Sequence, residues 1–318
     1  MPKSAMPKSA PPKSIQPNSD GSKPAAVKPA AKIATVTMLR DDLFFLKIWL
    51  DYYGAMLGRE NCYIVNHGHN PAVTEMARGC NIIGIPGDHH KNFDMKRWRL
   101  LNNLVQGLNA YFDHVIVGDV DELVVLDPRL GSLPEFLATQ KQRQVITPLG
   151  LEVIHRIELE EKPIKNKVLG PRAHVRIAPH YSKPSIISAG VKIARGGHFT
   201  QYEKINAPEG LYLFHLKYCD FAEYARAMDR RNAVTKAIGA SKKETAIGGH
   251  WFSDARGEDR EVFETMGKFE MQEGFDVQPY RQAMIDTFAP RGDTGFFHFA
   301  RPEYEVQFKL PERFFGIF

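Results

Sequence analysis

Cysteine is scarce in this chain: three among 318 residues, Cys62, Cys80 and Cys219. None sits at a paired metal-ligand spacing, and the odd number and wide separation point to reduced thiols in a cytoplasmic protein. Long apolar runs are also missing. Leu43 to Leu57 is the longest near the start, and Lys47 and Asp51 interrupt it, so it is too short and too charged to span a bilayer. The N-terminus lacks the apolar core of a signal peptide. Neither G-x-G-x-x-G after the first strand nor G-x-x-x-x-G-K-[ST] occurs, which argues against a dinucleotide oxidoreductase and a P-loop NTPase. Excess charge of one sign is absent from most of the chain. Residues 1–32 hold six lysines and one aspartate, which accounts for the whole net charge of +5 and leaves 36 basic residues against 36 acidic ones. The sequence pI of 8.9 therefore gives no case for a nucleic-acid-binding face.

What is present divides in two. Residues 1–32 repeat Met-Pro-Lys-Ser-Ala and continue in Pro, Ser, Lys and Ala. Such a segment has too little apolar surface to offset chain entropy, so it reads as a disordered, solvated tail. A basic arm for an anionic membrane or polyanion is the alternative. Residues 33–318 show no strong internal linker and read as a single α/β domain with an irregular, α-rich C-terminal extension.

Within that domain the hydrophobic period alternates. Ile33–Met38, Cys62–Val65, Asn81–Ile85 and Val115–Val117 read as strands, and 43–57, the segment opened by Asn70-Pro71, and 94–110 read as helices. Strand–helix repetition predicts a mostly parallel mixed sheet flanked by helices, with ligands outside the carboxyl ends of the strands. Asp41, Asn66, Asp88 and Asp119 stand at those ends. Arg40-Asp41-Asp42 fits a helix N-terminus equally well.

The fourth strand delivers the main signal: Val117-Gly118-Asp119-Val120-Asp121-Glu122 places three acids between two apolar runs. Acids are rarely buried unless paired or bound to a metal, and hard cations prefer carboxylate oxygens shared with substrate phosphates. A nucleotide bound without a Gly-rich loop needs another way to neutralise its phosphates, and a metal held by Asp121 supplies one. Later, His215 and Lys217 share one face of an apolar strand by the period of two, where an imidazole completes a metal shell and an ammonium neutralises phosphate. His198 follows Gly196-Gly197. Asp220, with Glu223 three residues on, reads as a capping box. His67/His69 and His89/His90 have metal-like spacings without a third ligand and read as solvated or substrate-adjacent. Phe314-Phe315 and Phe318 give an apolar end expected to pack on the domain, a partner or membrane contact being the alternative.

These residues together resemble the glycosyltransferase family 2-like group with its GT-A (Rossmann-like) fold. The likeness lies in Thr37-Met-Leu-Arg-Asp-Asp with its following helix, Lys96-Arg-Trp-Arg-Leu-Leu-Asn, the D-x-D-E set, Gly197-His198 and Phe214-His215-Leu-Lys217-Tyr. It covers about residues 33–225, most of a domain of usual size. The resemblance implies a nucleotide-sugar-binding half at 33–125 and an acceptor half with extension at 126–318. It implies a nucleotide-sugar donor, a UDP-sugar in the first instance, a Mn²⁺ or Mg²⁺ cofactor, a glycan or lipid-linked acceptor, and inverting displacement in surface polysaccharide or glycolipid synthesis. Asp121, His215 and Asp119 would hold the metal. Arg40, Asp42, Asn66, Asp88, Lys96, Arg97, Asp119, Glu122, His198 and Lys217 would bind the donor. The general base is open, with Asp220 and Glu152 as candidates by position. The expected location is cytoplasmic, with peripheral membrane contact as the alternative. A nucleotidyltransferase on a similar frame and a non-catalytic binding module are the competing functions.

Overall fold

A computed structural model describes residues 31–87, 93–194, 196–238 and 259–318, the side chains of 231–238 excepted. The tail up to residue 30 and the positions of Asp88, His89 and His90 lie outside the described residues. The chain alternates as the periodicity requires: β1 (Ile33–Leu39), α1 (Leu43–Trp49), α2 (Ala55–Leu57), β2 (Cys62–His67), α3 (Pro71–Met76), β3 (Asn81–Ile85), α4 (Phe93–Leu108) and β4 (His114–Gly118). Strands β3, β2, β1 and β4 lie side by side in that order and are mutually parallel. Strand β1 shows why both faces need helices. Ala34, Val36 and Met38 pack with Trp98, Leu101, Val105 and Leu108 of α4, while Ile33 and Leu39 join Leu46, Trp49 and Tyr53 on the opposite face. Asn70 caps α3 by accepting from the Ala72 N–H, and Pro71 occupies the first helical position, where its missing N–H costs nothing.

Two further segments complete this sheet and build a second. The chain continues through β5 (Glu122–Leu126), α5 (Leu133–Thr139), β6 (Val145–Ile146), β7 (Leu149–Ile154), β8 (His174–Ile177), β9 (Ile186–Ile187), β10 (Ile193–Ala194), β11 (Phe199–Thr200), β12 (Leu211–Tyr218) and α6 (Phe221–Ile238). Strand β9 extends the first sheet antiparallel to β4, and β6 lies antiparallel to β9 beyond it, which makes the sheet mixed. The C-terminal extension holds helices Asp259–Gly267 and Gln278–Asp286 with β13 (Glu270–Gln272), β14 (Ala289–Pro290), β15 (Phe297–His298) and β16 (Val306–Lys309). Its strands are integrated with earlier ones: the second sheet runs β13-β16-β8-β7-β12-β5, and a small third sheet runs β10-β11-β15-β14. One apolar cluster includes residues from Ile33 to Phe318, and Phe314 and Phe318 are buried in it.

Between α1 and α2 the helix widens into a π turn, Leu50–Gly54. This turn carries Tyr52 and Tyr53 to β5, the edge strand of the second sheet. The Tyr52 hydroxyl donates to the Val124 carbonyl at 2.8 Å, and the Val124 N–H donates to the Tyr53 hydroxyl at 2.8 Å. An edge strand otherwise offers these groups to any passing strand. Two helical phenols satisfy them here.

Candidate functional site

The acids of the D-x-D-E set fall on the turn between β4 and β5, where the first sheet hands the chain to the second. Glu122 begins β5, and its Oε2 accepts from the Asp119 N–H at 3.2 Å, which closes the turn. Strand β12 lies antiparallel to β5 with His215 opposite Glu122, and parallel to β7 with His215 opposite Glu152. Residues 93 positions apart thereby meet. The His215 Nε2 stands 3.4 Å from Asp121 Oδ2, while its Nδ1–H donates to Glu152 Oε1 at 2.8 Å. Glu152 is fully buried and is also ion-paired to Arg176. The ring of Tyr181 stacks on His215 with centroids 3.5 Å apart. Gly150 permits that approach. A Cβ there would stand 2.5 Å from Ser182 N and Tyr181 C, so the turn at 179–182 sits directly on β7.

Electrostatics sort the four carboxylates. Burial pushes His215 down, but Asp121 and Glu152 outweigh it and raise it to about 9. Burial likewise opposes ionisation of Glu152, yet Arg176 and His215 hold it at about 2. Asp121 is lowered by His215 against its own burial. Burial opposes ionisation of Asp119 too, but Arg97 of α4 and Lys183, at 3.0 Å, take one oxygen each and hold it well below the usual carboxylate range. Glu122 moves the other way: burial, with the charges of Asp119 and Asp121, raises it against the pull of Lys183.

Lys183 carried no signal in the sequence. It precedes Pro184 and β9, and the pairing of β9 with β4 continues as a bond from the Val117 N–H to the Ser185 carbonyl at 2.8 Å. That antiparallel alignment delivers a buried ammonium beside residues 119 and 122, more than sixty positions away.

The expected residues therefore separate. Asp121, His215, Asp119, Glu122, Arg97 and Glu152 come together. His198 is close enough for Asp119 and Lys183 to act on its charge; burial first, then Lys183 and Arg301, push it down to about 2. Its placement rests on Gly196 and Gly197, at φ of 66° and 80°, the latter directly against Trp98. Asn66 is not brought to the site as a donor ligand. It is buried, bonding Asn70 O, Asn70 N and Thr74 Oγ1, so its amide closes its own loop. Arg40 donates to the Gly87 carbonyl, and Asp42 pairs with Arg230. Lys96 is exposed on α4. A bulge between His215 and Tyr218 breaks the period of two expected for Lys217, whose ammonium lies 4.8 Å from the Tyr218 ring centroid. Asp220 accepts from the Ala222 and Glu223 N–H groups and pairs with Arg172, which makes it a helix cap rather than a free base. The reciprocal half of the capping box is replaced: Glu223 pairs with Arg226. His67 is buried near Phe93 rather than solvated.

Among the described residues no group of three or more His, Cys, Asp and Glu side chains is arranged to hold a metal by itself. The donor set still fits a cation shared with a ligand. The Glu152 bond fixes the proton on Nδ1, which leaves Nε2 facing Asp121, the carboxylate–imidazole arrangement that supports metal ligation. Asp119 fits less well as a ligand, since both its oxygens are engaged by cations.

No helix among the described residues is long and apolar enough to cross a membrane. No family model matches the chain, and no curated protein matches it. Among solved structures it is similar to a mannosyltransferase, PcManGT from Pyrobaculum calidifontis, in complex with GDP-Man and Mn²⁺, at 13% identity over 76% of each chain and a TM-score of 0.32. It is also similar to a mannose-1-phosphate geranyltransferase from Thermus thermophilus, at 16% identity over 68% of each chain and a TM-score of 0.28. Scores this low carry no inference from either protein to this chain.

Proposed function

We propose that the chain is a GT-A-like glycosyltransferase that moves a sugar from a nucleoside diphosphate sugar to a hydroxyl acceptor with the help of Mn²⁺ or Mg²⁺. The observation that carries this reading is the pair Asp121–His215, 3.4 Å apart at a strand end with the imidazole pinned from behind by Glu152. Asp121 and His215 would hold the cation, which when bound supplies charge neutralisation for the departing diphosphate.

The remaining roles belong to the chain's own side chains. Glu152 and the Tyr181 ring fix the plane of the imidazole, so the ring is already in place when its Nε2 proton is displaced by a cation. Arg97 and Lys183 hold Asp119 ionised and oriented at the turn, positioned for a hydroxyl of the donor ribose or sugar. Lys183 keeps Glu122 within the turn and allows three acids to crowd one place without mutual expulsion. His198, neutral at ordinary pH, borders the acceptor side.

The test is thermal melting with Mn²⁺ and a panel of nucleoside diphosphates, followed by product analysis with labelled nucleotide sugars. A stabilisation that needs metal and nucleotide together, lost in Asp121→Asn with the fold intact, is the expected result. Wild-type sugar transfer by Asp121→Asn would sink the role given to that residue. Nucleotide transfer in place of sugar transfer would select the nucleotidyltransferase alternative.

A further inference from the structure

The C-terminal hairpin of β14 and β15 packs on β11 and brings two arginines to one aromatic ring. The Arg291 guanidinium lies 4.5 Å from the centroid of Phe199, and that of Arg301 lies 4.8 Å from it. Arg301 also donates to the His198 carbonyl at 2.7 Å. Among the described residues neither arginine forms an ion pair, although Asp293 sits in the same hairpin. The environment registers the uncompensated charge. Burial and Arg291 push Arg301 down to about 10, and burial with both arginines lowers His298.

Polar atoms without partners gather at the same corner. Arg301 Nε, His198 Nδ1 and Trp98 Nε1 are buried and bonded to nothing among the described residues. Trp98 is itself 6% exposed and packs against Gly197, one residue before His198. A buried polar group left unsatisfied costs about 1–3 kcal/mol, and two of these, the Arg301 Nε–H and the Trp98 Nε1–H, are donors that a ligand's acceptor oxygens would satisfy. Guanidinium forks match the oxygens of phosphate and carboxylate.

We propose that Arg291, Arg301, His198 and Trp98 form a binding site for an oxyanion, phosphate or carboxylate, carried by the acceptor. The acceptor of the reaction is thus an anionic molecule. Its role as acceptor rests on the transferase reading; the anion site does not. The site uses other residues than the Asp121–His215 pair, with His198 within reach of the charges of Asp119 and Lys183 as well as of Arg301, and it assigns a purpose to a hairpin whose sequence carries no recognisable motif.

Titration of the whole protein with inorganic phosphate in the presence of a chelator tests the site without metal, donor or turnover. Saturable binding is expected, weakened roughly tenfold by Arg291→Ala and by Arg301→Lys, which keeps charge but loses the fork. Asp121→Asn should bind phosphate like the wild type. Far-UV circular dichroism and the melting temperature without phosphate verify that each variant is folded. Absent binding, or binding indifferent to both arginine changes, overturns the proposal. So does displacement of phosphate by a nucleoside diphosphate with Mn²⁺, which would assign the arginines to the donor. Parallel titrations with glycerol 3-phosphate and glucuronate tell a phosphate-bearing acceptor from a carboxylate-bearing one. Failure of sugar transfer with phosphate binding intact would refute the transferase reading and leave the anion site standing.

Discussion

His215 and Glu152 face each other in direct register across two parallel strands, with Nδ1 and Oε1 2.8 Å apart and both side chains almost fully buried. Neither group is isolated, since Arg176 lies behind the carboxylate and Asp121 in front of the imidazole. Glu152→Gln keeps an oxygen for Nδ1–H but removes the charge opposite Arg176. Uncompensated charge in a buried pair costs about 3–5 kcal/mol, and urea denaturation should show a loss toward the lower end because the amide still bonds. Cation affinity should fall about 10–100-fold, as for other partners behind a ligating imidazole. A Glu152→Gln protein that is destabilised yet binds Mn²⁺ with nucleotide as tightly as the wild type would show the pair to be structural only.

Gly150 makes a second prediction possible. A methyl group there meets the backbone of residues 178–182, which cannot rotate away as a side chain tip can. Gly150→Ala must lift the turn that carries Tyr181 off β7 and separate the phenol from His215. Overpacking of this kind costs roughly 1–3 kcal/mol. The expected signature is a lower melting temperature with a perturbed near-ultraviolet signal from tyrosine. An unchanged melting temperature would mean that the turn does not press on β7 at this position.

The two phenols on β5 can be read separately. Tyr53→Phe leaves the Val124 N–H unsatisfied in a buried setting, whereas Tyr52→Phe leaves a carbonyl. Each change should cost about 1–3 kcal/mol in chemical denaturation. Because these groups are on an edge strand, loss of both should also raise aggregation, seen as light scattering on heating. Equal stability in Tyr53→Phe and the wild type would count against this account of the edge.

What the sequence disclosed follows from how local each signal is. Strands β1 to β4 were legible because a hydrophobic period needs only near neighbours, and α3 because Asn70-Pro71 carries its own start signal. His215 stood out through its place in an apolar strand, although its partner could not be read, since register between β12 and β7 is set by the whole sheet. Lys183 was invisible for the same reason: a lysine before a proline looks like a loop until β9 aligns against β4. Arg291 and Arg301 depend on a hairpin docking nearly one hundred residues downstream of β11. Asn66 misled because a short polar residue at a strand end suits a ligand and a loop closure alike, and only the bonds to Asn70 decide. The tyrosines at 52 and 53 looked like ordinary helix positions, and the π turn that aims both at one strand has no sequence pattern of its own.

Asp127 supplies the dependence of stability on pH. It follows β5, is fully buried, and receives two bidentate guanidiniums, from Arg129 beside it and from Arg313 near the C-terminus. Burial pushes this carboxyl up, but the two arginines outweigh burial and hold it at about 2. Its unfolded value is about 3.9, so the folded state binds the proton more weakly. The linkage therefore adds stability that is complete above about pH 4 and is lost as pH falls through about 2, and the difference in proton affinity between the two states corresponds to roughly 2–3 kcal/mol. In Asp127→Asn two guanidiniums keep no carboxylate, and stability at neutral pH should fall by about 3 kcal/mol. The gap between the wild type and the variant should then narrow as acid removes from the wild type what the substitution has already removed. Urea midpoints of both proteins, followed from neutral pH down to about pH 2, test this. A gap that stays constant across that range would show that Arg129 and Arg313 contribute through packing alone.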